Sequence, residues 1–451
     1  MGSQVHAGER EPGLFGPMFS TPDATARTSD GAWLQAMLDF ESALAAAQAE
    51  AGIVPVSAAE AIAAHCRAEL FDTASIGERA VSSATPVIAL VRDLTALVGE
   101  DARAHVHRGA TSQDVVDTAA MLVVRDVLEL VVTDLRAAAQ ECARLAEEHR
   151  GTVLIARSLL QQALPTTFGL RCAGWLTALD ESIEGLTRFS PAVQFGGAAG
   201  TLASLGTGGP EVLAGVAERL GLAEPVLPWH TDRTRIAELA GALGTASGVL
   251  GKIALDVELH AQTEVGELTE GAPGGSSAMP HKQNPATSVL ITAATQRVPG
   301  LVATLLAAMP QAYERAAGAW QSEWEPLTEL LRLTAAAARR TRELLEGLRV
   351  HPDRMAANLD LTRGLVLAEN AAGRLMTALG RTEAQDLVTE LCRRTVERGS
   401  TLRDELLAEP RVREVLSEQD VLDATSASDY LGAAGGFIDR ALATHTGLEK
   451  R

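Results

Sequence analysis

The sequence predicts an all-α protein, and three features of the chain support that prediction. Residues 112–150 contain neither proline nor glycine, which is typical of one long uninterrupted helix. Residues 33–51 carry apolar side chains such as Leu34 and Met37 at helical spacing and stop before Gly52. Clusters of glycine and proline fall at the joints between such stretches. Helix is therefore expected over nearly the whole chain.

Two further regions show a helical pattern of unusual length, residues 233–271 and residues 285–347. A helix of about forty residues is ~60 Å long at ~1.5 Å per residue, which exceeds the diameter of a compact domain. Such a helix needs neighbours of equal length. Within residues 285–347, Pro299, Pro310 and Pro326 predict kinks.

We divide the chain into three helical units: an N-terminal unit at 1–108, a central long-helix bundle at 109–347 and a C-terminal unit at 348–451. Residues 115–132 and 236–255 are apolar around much of the helix, which is more than a single buried face requires. We favour a bundle completed by sister subunits. The alternative is a large bundle formed by one chain.

Composition limits the partners and the location of the protein. A formal charge of −19 and an aromatic content of 3% argue against binding to nucleic acid or to an anionic membrane. No apolar run reaches ~18 residues and the first residues are polar, so neither a membrane span nor a signal peptide is indicated. The cytoplasm is the expected location. The four cysteines are dispersed, which favours reduced thiols over disulfides or a zinc site.

One loop, residues 272–286, has the composition of a reactive site. From Gly275 to Pro285 it reads Gly-Ser-Ser-Ala-Met-Pro-His-Lys-Gln-Asn-Pro, in which glycine and proline restrict the segment to a loop or the start of a helix. A serine hydroxyl is protonated at neutral pH, so a serine that acts as a base needs a lysine, a helix N-terminus or amide groups to stabilise its alkoxide. A plain Gly/Ser linker, the alternative, does not explain the His-Lys-Gln-Asn run.

The loop resembles the signature loop of the aspartase/fumarase superfamily, G-S-S-x-x-P-x-K-x-N. The resemblance implies that Ser276 is the base that removes a proton from the carbon beside a substrate carboxylate, with Lys282 as the second catalytic residue. It implies that Lys282 and Asn284 bind the substrate carboxylate and organise the loop, and we expect Ser277 and Met279 to contact substrate too. It also implies a homotetramer with each active site assembled from three subunits.

A second segment, residues 105–114, resembles the superfamily segment in which a Thr-Ser pair caps the first long helix and binds a substrate carboxylate. The N-terminus of a helix attracts an anion through its free N–H groups and its dipole, and Thr111 or Ser112 is a suitable N-cap. A purely structural cap is the alternative. The substrate-binding residues expected here are His107, Arg108, Thr111, Ser112 and Gln113.

A third segment, residues 157–169, departs from the superfamily pattern R-T-H-x-Q-x-A-x-P. The superfamily histidine does acid–base work or binds substrate, but here Leu159 stands at its position, while Gln161 is kept and is expected to bind substrate. An amine or hydroxide leaving group needs a proton donor, whereas a carboxylate departs unaided because its conjugate acid has a pKa of ~4. The leucine therefore predicts a leaving group that is already a stable anion.

The Leu-Gln-Gln run of this segment resembles one branch of the superfamily, the 3-carboxy-cis,cis-muconate cycloisomerases, in which the substrate's own carboxylate closes or opens a lactone ring. Further similar stretches lie at 194–202, 227–231 and 314–321. His230 is an expected substrate contact, with a structural histidine as the alternative. Arg315 is another, with an ion pair to Glu314 or Glu323 as the alternative.

The predicted reaction is the addition or elimination of an intramolecular carboxylate through an aci-carboxylate intermediate, on a small di- or tricarboxylate substrate. No metal or organic cofactor is expected, because charge delocalisation acidifies the proton. Tyr313 replaces a histidine usual in the branch, which leaves open a ligand other than carboxymuconate. Two alternatives to the cycloisomerase remain. The first is a lyase that expels nitrite from a substituted succinate to give fumarate. The second is a catalytically silent helical scaffold, against which the intact Ser276 and Lys282 argue.

Overall fold

Helices form almost all of the regular structure in the computed structural model, which describes residues 13–275 and 277–449. Ser276, the predicted base, lies outside the described residues. The first ten α-helices are α1 (Gly16–Phe19), α2 (Pro22–Arg27), α3 (Asp30–Glu50), α4 (Val56–His65), α5 (Thr73–Ala80), α6 (Val87–Leu97), α7 (Glu100–Arg103), α8 (Ser112–Glu148), α9 (Phe168–Thr187) and α10 (Gly209–Leu220). The others are α11 (Thr234–His260), α12 (Ala286–Thr295), α13 (Val298–Ala307), α14 (Trp324–Glu346), α15 (Pro352–Leu359), α16 (Ala368–Leu379), α17 (Arg381–Arg398), α18 (Leu402–Ala408), α19 (Pro410–Arg413), α20 (Glu418–Ala424) and α21 (Ala434–Glu449). The all-α prediction is confirmed.

Short strands in the described chain form two antiparallel pairs, β1 (Val153–Ser158) with β2 (Gln161–Thr167) and β3 (Leu268–Thr269) with β4 (Arg349–Val350). Ser158 lies opposite Gln161 in the first pair, so Leu159 and Leu160 form a two-residue hairpin turn. These strands were not predicted. The Val-Leu-Ile run at residues 153–155 was the available signal, but an apolar run of this length does not distinguish a strand from a buried helix.

One of the three long helical regions is confirmed at its predicted length. The second is shorter than predicted, because α11 ends at His260 and β3 follows at Leu268–Thr269. Helix α8 spans 37 residues and α11 spans 27 residues. The third region is not a kinked helix, because α12, α13 and α14 are separate. Pro299 lies in the first turn of α13, and Pro326 lies in the first turn of α14. The predicted kinks are therefore wrong at these prolines, which stand where a helix begins and a missing N–H removes no helical hydrogen bond.

Packing within the chain distinguishes two units, each built from three stretches of sequence. Unit 1 comprises the described residues of Met1–Leu135, Ser182–Gly251 and Leu290–Arg340, and unit 2 comprises those of Arg136–Glu181, Lys252–Val289 and Thr341–Arg451. The boundaries fall inside α8, α9, α11, α12 and α14. The three-unit division of the sequence remains a prediction.

The core of unit 1 surrounds the first part of α8. Residues 113–124 of this helix are all buried within the chain, and α11 contributes Ile236, Leu239 and Leu243 at helical spacing. A helix that is apolar all round is a buried helix, and here its own chain covers it. The apolar run of α8 therefore gives, by itself, no reason to require a sister subunit.

Unit 2 contains a C-terminal group of packed helices and the segments that carry the predicted loop. Helix α16 packs on α17, and α17 packs on α18. Their shared core includes Leu375, Leu387, Leu391 and Leu406, each about 1% exposed or less. In the other part of unit 2, α15 packs against β1, so the hairpin is supported by a helix.

One stretch of the described chain, Ala286–Ala307, is long and apolar enough to cross a membrane by length and composition alone. It consists of two helices, α12 and α13, interrupted at Gln296 and Arg297. Only 28% of its most apolar window is buried within the chain, and Val289 is 51% exposed. A single stretch of this kind is weak evidence for a membrane span, since apolar helices of soluble proteins have the same length and composition. It leaves apolar side chains uncovered by its own chain.

Candidate active site

In unit 1, the predicted substrate-binding segment lies at the N-terminus of α8, and Thr111 occupies the N-cap position because the helix begins at Ser112. The backbone N–H of Thr111 donates to Oδ2 of Asp114 at 3.0 Å, so a carboxylate of the first turn makes the capping hydrogen bond. Among the described residues the hydroxyls of Thr111 and Ser112 have no recorded hydrogen bond, and both residues are partly exposed. Both hydroxyls can therefore serve a ligand.

Asp114 organises the backbone beside this helix start. The carboxylate is fully buried, and Oδ1 accepts hydrogen bonds from Nε2 of His230 at 2.7 Å and from the N–H of Gly196 at 3.0 Å. Oδ2 accepts from the N–H of Gly197 at 2.9 Å. Gly197 has φ +68°, and a Cβ there would lie 2.9 Å from the carbonyl oxygen of Gly109. The glycine-rich turn is thus needed for backbone packing, because a side chain would separate it from the helix start.

Gln113 and His230 lie beneath this surface. Gln113 is fully buried, and its Nε2 donates to the carbonyl of His230 at 2.8 Å and to Oδ2 of Asp117 at 3.1 Å. His230 is 4% exposed and holds the Asp114 carboxylate described above. The geometry supports the structural alternative for His230 and gives Gln113 a similar supporting position. Direct ligand contacts of both residues remain predictions.

His107 forms an ion pair with a buried carboxylate on α3. Its Nδ1 lies 2.6 Å from Oε1 of Glu41, whose side chain is 1% exposed. Burial by itself lowers the pKa of His107, but the nearby Glu41 carboxylate, together with Asp114, outweighs burial and raises the pKa above its ordinary value. Nη1 of the exposed Arg108 donates to the carbonyl of Ile53 at 2.9 Å. The segment therefore presents two cationic side chains near the start of α8.

Arg315 is held by neutral acceptors. Its Nε donates to Oε1 of Gln113 at 3.4 Å, and its Nη2 donates to the carbonyl of Ala198 at 3.3 Å. Among the described ion pairs Arg315 has no carboxylate partner, and Glu323 pairs with Arg233 instead. The proposed ion pair of Arg315 with Glu323 is therefore wrong. A partly buried guanidinium whose charge is not neutralised is a suitable partner for an anionic ligand.

Arg233 was not predicted, yet it anchors the loop that carries Arg315. Its side chain is 1% exposed, and it donates to Asp117 at 2.8 and 3.1 Å and to Glu323 at 3.0 and 2.5 Å. Nε1 of Trp320 also donates to Asp117, at 3.0 Å. Desolvation raises the pKa of Glu323 despite the adjacent guanidinium. These partners lie 90 to 203 positions apart, so no local pattern identifies them.

In unit 2, the hairpin turn places Leu159 and Leu160 at the surface, 96% and 74% exposed. Both have positive φ, +51° and +64°, as in the two-residue turns that glycine and asparagine prefer. A left-handed conformation costs an L-residue roughly 1–2 kcal/mol, and bulky residues held in it suggest a functional constraint. Gln161 follows the turn and is exposed. The predicted departure from the superfamily pattern therefore lies at the hairpin tip.

Close to its tip, the hairpin is attached to Glu267, a second residue that was not predicted. Arg157 donates to both carboxylate oxygens of Glu267, at 2.9 and 2.8 Å. Nδ1 of His260 lies 2.5 Å from Oε2, and Nδ2 of Asn358 donates to Oε1 at 2.7 Å. Burial alone would raise the pKa of Glu267, but these hydrogen bonds, above all that of His260, lower it to about 2. Glu267 is therefore a fully ionised anchor.

The predicted reactive loop belongs to unit 2, and most of its described residues are exposed. The backbones of Gly274 and Asn284 exchange two hydrogen bonds, at 2.9 and 2.8 Å, which closes the loop at its base. Ser277, Met279 and Lys282 are exposed beyond this closure. Lys282 has no carboxylate partner among the described ion pairs. In the part of the chain that the structure describes, no three His, Cys, Asp or Glu side chains are grouped as metal ligands.

The start of one helix carries cationic and amide groups, and the lysine of the exposed loop has no carboxylate partner among the described residues. These are features of enzymes that act on carboxylates. The family model for lyases matches residues 20–300, and the model for the adenylosuccinate lyase C-terminus matches residues 364–441. The chain belongs to this lyase family, which is the aspartase/fumarase superfamily that the loop resembles.

Two curated relatives cover nearly the whole chain. A 3-carboxy-cis,cis-muconate cycloisomerase of Pseudomonas aeruginosa is 46% identical, over 96% of this chain and 97% of that protein. A nitrosuccinate lyase of Streptomyces davaonensis is 43% identical, over 95% of this chain and 94% of that protein. The crystal structure of 3-carboxy-cis,cis-muconate lactonizing enzyme from Pseudomonas putida has a TM-score of 0.92 at 41% identity, covering 97% of this chain and 99% of that one.

Proposed function

We propose that this lyase is a cycloisomerase that interconverts 3-carboxy-cis,cis-muconate and its carboxymuconolactone. The observation that carries the proposal is Leu159, which stands at the tip of the hairpin where the superfamily has a proton-donating or substrate-binding histidine. A reaction whose leaving group is a carboxylate needs no proton donor. The near-full-length similarity to a cycloisomerase supplies the substrate.

The proposed chemistry, in the direction of elimination, begins with Ser276. Its alkoxide takes the proton from the carbon beside a substrate carboxylate, and the resulting aci-carboxylate is stabilised by Lys282, Asn284 and amides of the loop. The electron pair of the broken C–H bond then forms the new double bond, and the C–O bond of the lactone breaks with its electrons on the departing carboxylate. In lactone formation the steps reverse, and the Ser276 hydroxyl delivers the proton to carbon.

The groups at the start of α8 are proposed to hold the other carboxylates of the substrate. The support is the uncompensated guanidinium of Arg315, the raised pKa of His107 and the free hydroxyls of Thr111 and Ser112. In a chain with a formal charge of −19, an anionic substrate requires such a local concentration of positive charge.

We propose a soluble, cytoplasmic homotetramer with shared active sites, which binds neither nucleic acid nor a membrane. Two uncovered surfaces support subunit contacts. One is the apolar stretch of α12 and α13. The other is a stripe of small exposed residues along α11, formed by Gly241, Thr245 and Gly248, which permits close approach of another helix. The exposed leucines of the hairpin tip fit the same assembly.

A nitrite-releasing lyase is the second candidate. The similarity to nitrosuccinate lyase favours it, and nitrite is also a stable anion that would not need the missing histidine. Its substrate is a substituted succinate and its other product is fumarate.

Parallel assays with the two substrates distinguish these functions. We expect the purified protein to remove the absorbance of carboxymuconate, and to form fumarate from nitrosuccinate at least ~100-fold less efficiently in kcat/KM. The reverse ratio would replace the cycloisomerase by the nitrite-releasing lyase, and no turnover of either substrate would favour a silent scaffold. Ser276→Ala should abolish the activity, whereas Ser428→Ala, which changes an exposed serine among the C-terminal helices, should keep it.

A further inference from the structure

Glu270 stands at the entrance of the reactive loop but binds the residues at its exit. It is 2% exposed, and its Oε1 accepts hydrogen bonds from the N–H of Ser288 at 2.8 Å and from Oγ of Ser288 at 2.7 Å. Its Oε2 accepts from the N–H of Thr287 at 3.0 Å. Both N–H groups belong to the first turn of α12, where a helix lacks internal acceptors. One carboxylate therefore caps α12 and joins the two ends of the loop.

This side-chain connection flanks the backbone pair of Gly274 and Asn284 and lies farther from the tip of the loop. The loop is therefore closed twice, once by backbone hydrogen bonds and once by a side chain. Gly275 and residues 277–283 lie beyond both closures. The orientation of Lys282 and Asn284 depends on how firmly these two sets of hydrogen bonds hold the ends of the loop together.

The surroundings of Glu270 make the side-chain connection important. On one side the chain is close-packed, since a Cβ on Gly271 would lie 2.6 Å from the carbonyl oxygen of Gly347. Beside this contact lies a cavity of about 430 Å³, and its lining includes Glu270, Gly271, Thr287 and Gly347. Water in a space of this size makes fewer dispersion contacts with the segment than close-packed side chains would. Hydrogen bonds of Glu270 must therefore supply what packing does not.

We propose that Glu270 is a positioning residue of the reactive loop. By joining residue 270 to the first turn of α12, it holds the catalytic groups of the loop in place. Glu270 does not touch the substrate in this proposal. It acts through the loop, so its effect on turnover rests on the proposed function, whereas its effect on the loop itself does not.

The isosteric change Glu270→Gln tests the connection. Glutamine has one acceptor oxygen in place of two, and its NH₂ group would face an N–H of α12, so at least one of the two backbone bonds is lost. Ser288→Ala removes only the hydroxyl donor and should have a smaller effect. Glu346→Gln is the matched control, because Glu346 is a carboxylate on α14 that pairs with Arg342 at the surface.

Kinetic constants separate positioning from stability. We expect Glu270→Gln to lower kcat about 10- to 100-fold, because small displacements of catalytic groups have effects of this size. KM should change less than kcat, since the groups proposed to hold the other substrate carboxylates lie at the start of α8 and are untouched. Ser288→Ala should lie between the wild type and Glu270→Gln, and Glu346→Gln should match the wild type.

The lysine content of the chain allows a readout that does not depend on activity. The only lysines are Lys252, Lys282 and Lys450, so a lysine-specific protease reports on the loop at Lys282 and on α11 at Lys252. We expect cleavage after Lys282 to be roughly tenfold faster in Glu270→Gln, because a local opening becomes more populated. Cleavage after Lys252 should be unchanged.

Two results would overturn the proposal. One is a Glu270→Gln protein with the kcat and the Lys282 cleavage rate of the wild type. The other is faster cleavage at both lysines together with a lower melting temperature, which would assign Glu270 to general stability. If the wild type acts on neither substrate but Glu270→Gln still exposes Lys282 selectively, the proposed function fails and the connection stands.

Discussion

Replacing Glu267 by glutamine should destabilise the protein measurably, although the residue is a single carboxylate among many. Its side chain is fully buried and accepts hydrogen bonds from Arg157, His260 and Asn358. A pKa of about 2 in place of 4.5 corresponds to ~3 kcal/mol of stability at ~1.4 kcal/mol per tenfold change in proton affinity. The cost of breaking a buried ion pair, ~3–5 kcal/mol, agrees with this value.

The melting temperature converts this free energy into an observable. With an unfolding entropy of ~2.1 cal/mol/K per residue, a chain of 451 residues should melt ~3 °C lower in the Glu267→Gln variant at pH 7. Glu148→Gln is the control, because Glu148 is paired with Arg144 on an exposed face of α8. An exposed pair of this kind contributes less than about 1 kcal/mol.

The pH dependence gives a second test of the same reasoning. A carboxylate whose pKa is lowered by folding contributes stability that is fully present above the unfolded pKa and is lost as pH falls towards the folded pKa. The difference in the free energy of unfolding between wild type and Glu267→Gln should therefore be constant from pH 7 to pH 6. It should become smaller below about pH 4.5. Urea unfolding at several pH values measures it. A difference in the free energy of unfolding below ~1 kcal/mol at pH 7, or a difference that grows as the pH falls, would refute the argument.

Three further predictions concern the proposed site and follow from steady-state kinetics with carboxymuconate. Glu41→Gln removes the charge that raises the pKa of His107, so this histidine loses its proton at lower pH, and KM should begin to rise at lower pH than in the wild type while kcat is unchanged. Arg315→Gln should raise KM roughly 10- to 100-fold, the value of a charged hydrogen bond, with kcat changed less than threefold. Leu159→His should not raise kcat/KM, because a departing carboxylate needs no acid.

Each of these has a distinct contrary outcome. An unshifted pH profile of KM in Glu41→Gln would separate His107 from substrate binding. A loss in kcat alone would place Arg315 in the chemical step rather than in ground-state binding. A tenfold gain in kcat/KM from Leu159→His would show that the leaving group does need a proton.

The Glu41→Gln variant should also be less stable than the wild type. This loss of stability should appear below the ordinary histidine pKa of ~6.5 and vanish as pH rises through the raised pKa of His107.

The features of this protein that could be predicted depend on residues that are close together in the sequence. The absence of glycine and proline in residues 112–150 was enough to predict α8, because those two residue types have special backbone restrictions or freedoms wherever they occur. The reactive loop and Leu159 were recognisable because their meaning depends on residue type and spacing, which a sequence displays directly.

Only the tertiary structure decided which charges are paired and which are free. Asp114 and His230 lie 116 positions apart, as do Asp117 and Arg233, and a sequence does not reveal which of many carboxylates meets which donor. The same holds for Glu270, whose partners are 17 and 18 positions away across a loop. The physical reason is that electrostatic energy depends on distance and burial, both of which arise when helices pack, whereas helix formation begins with each residue's own backbone preferences.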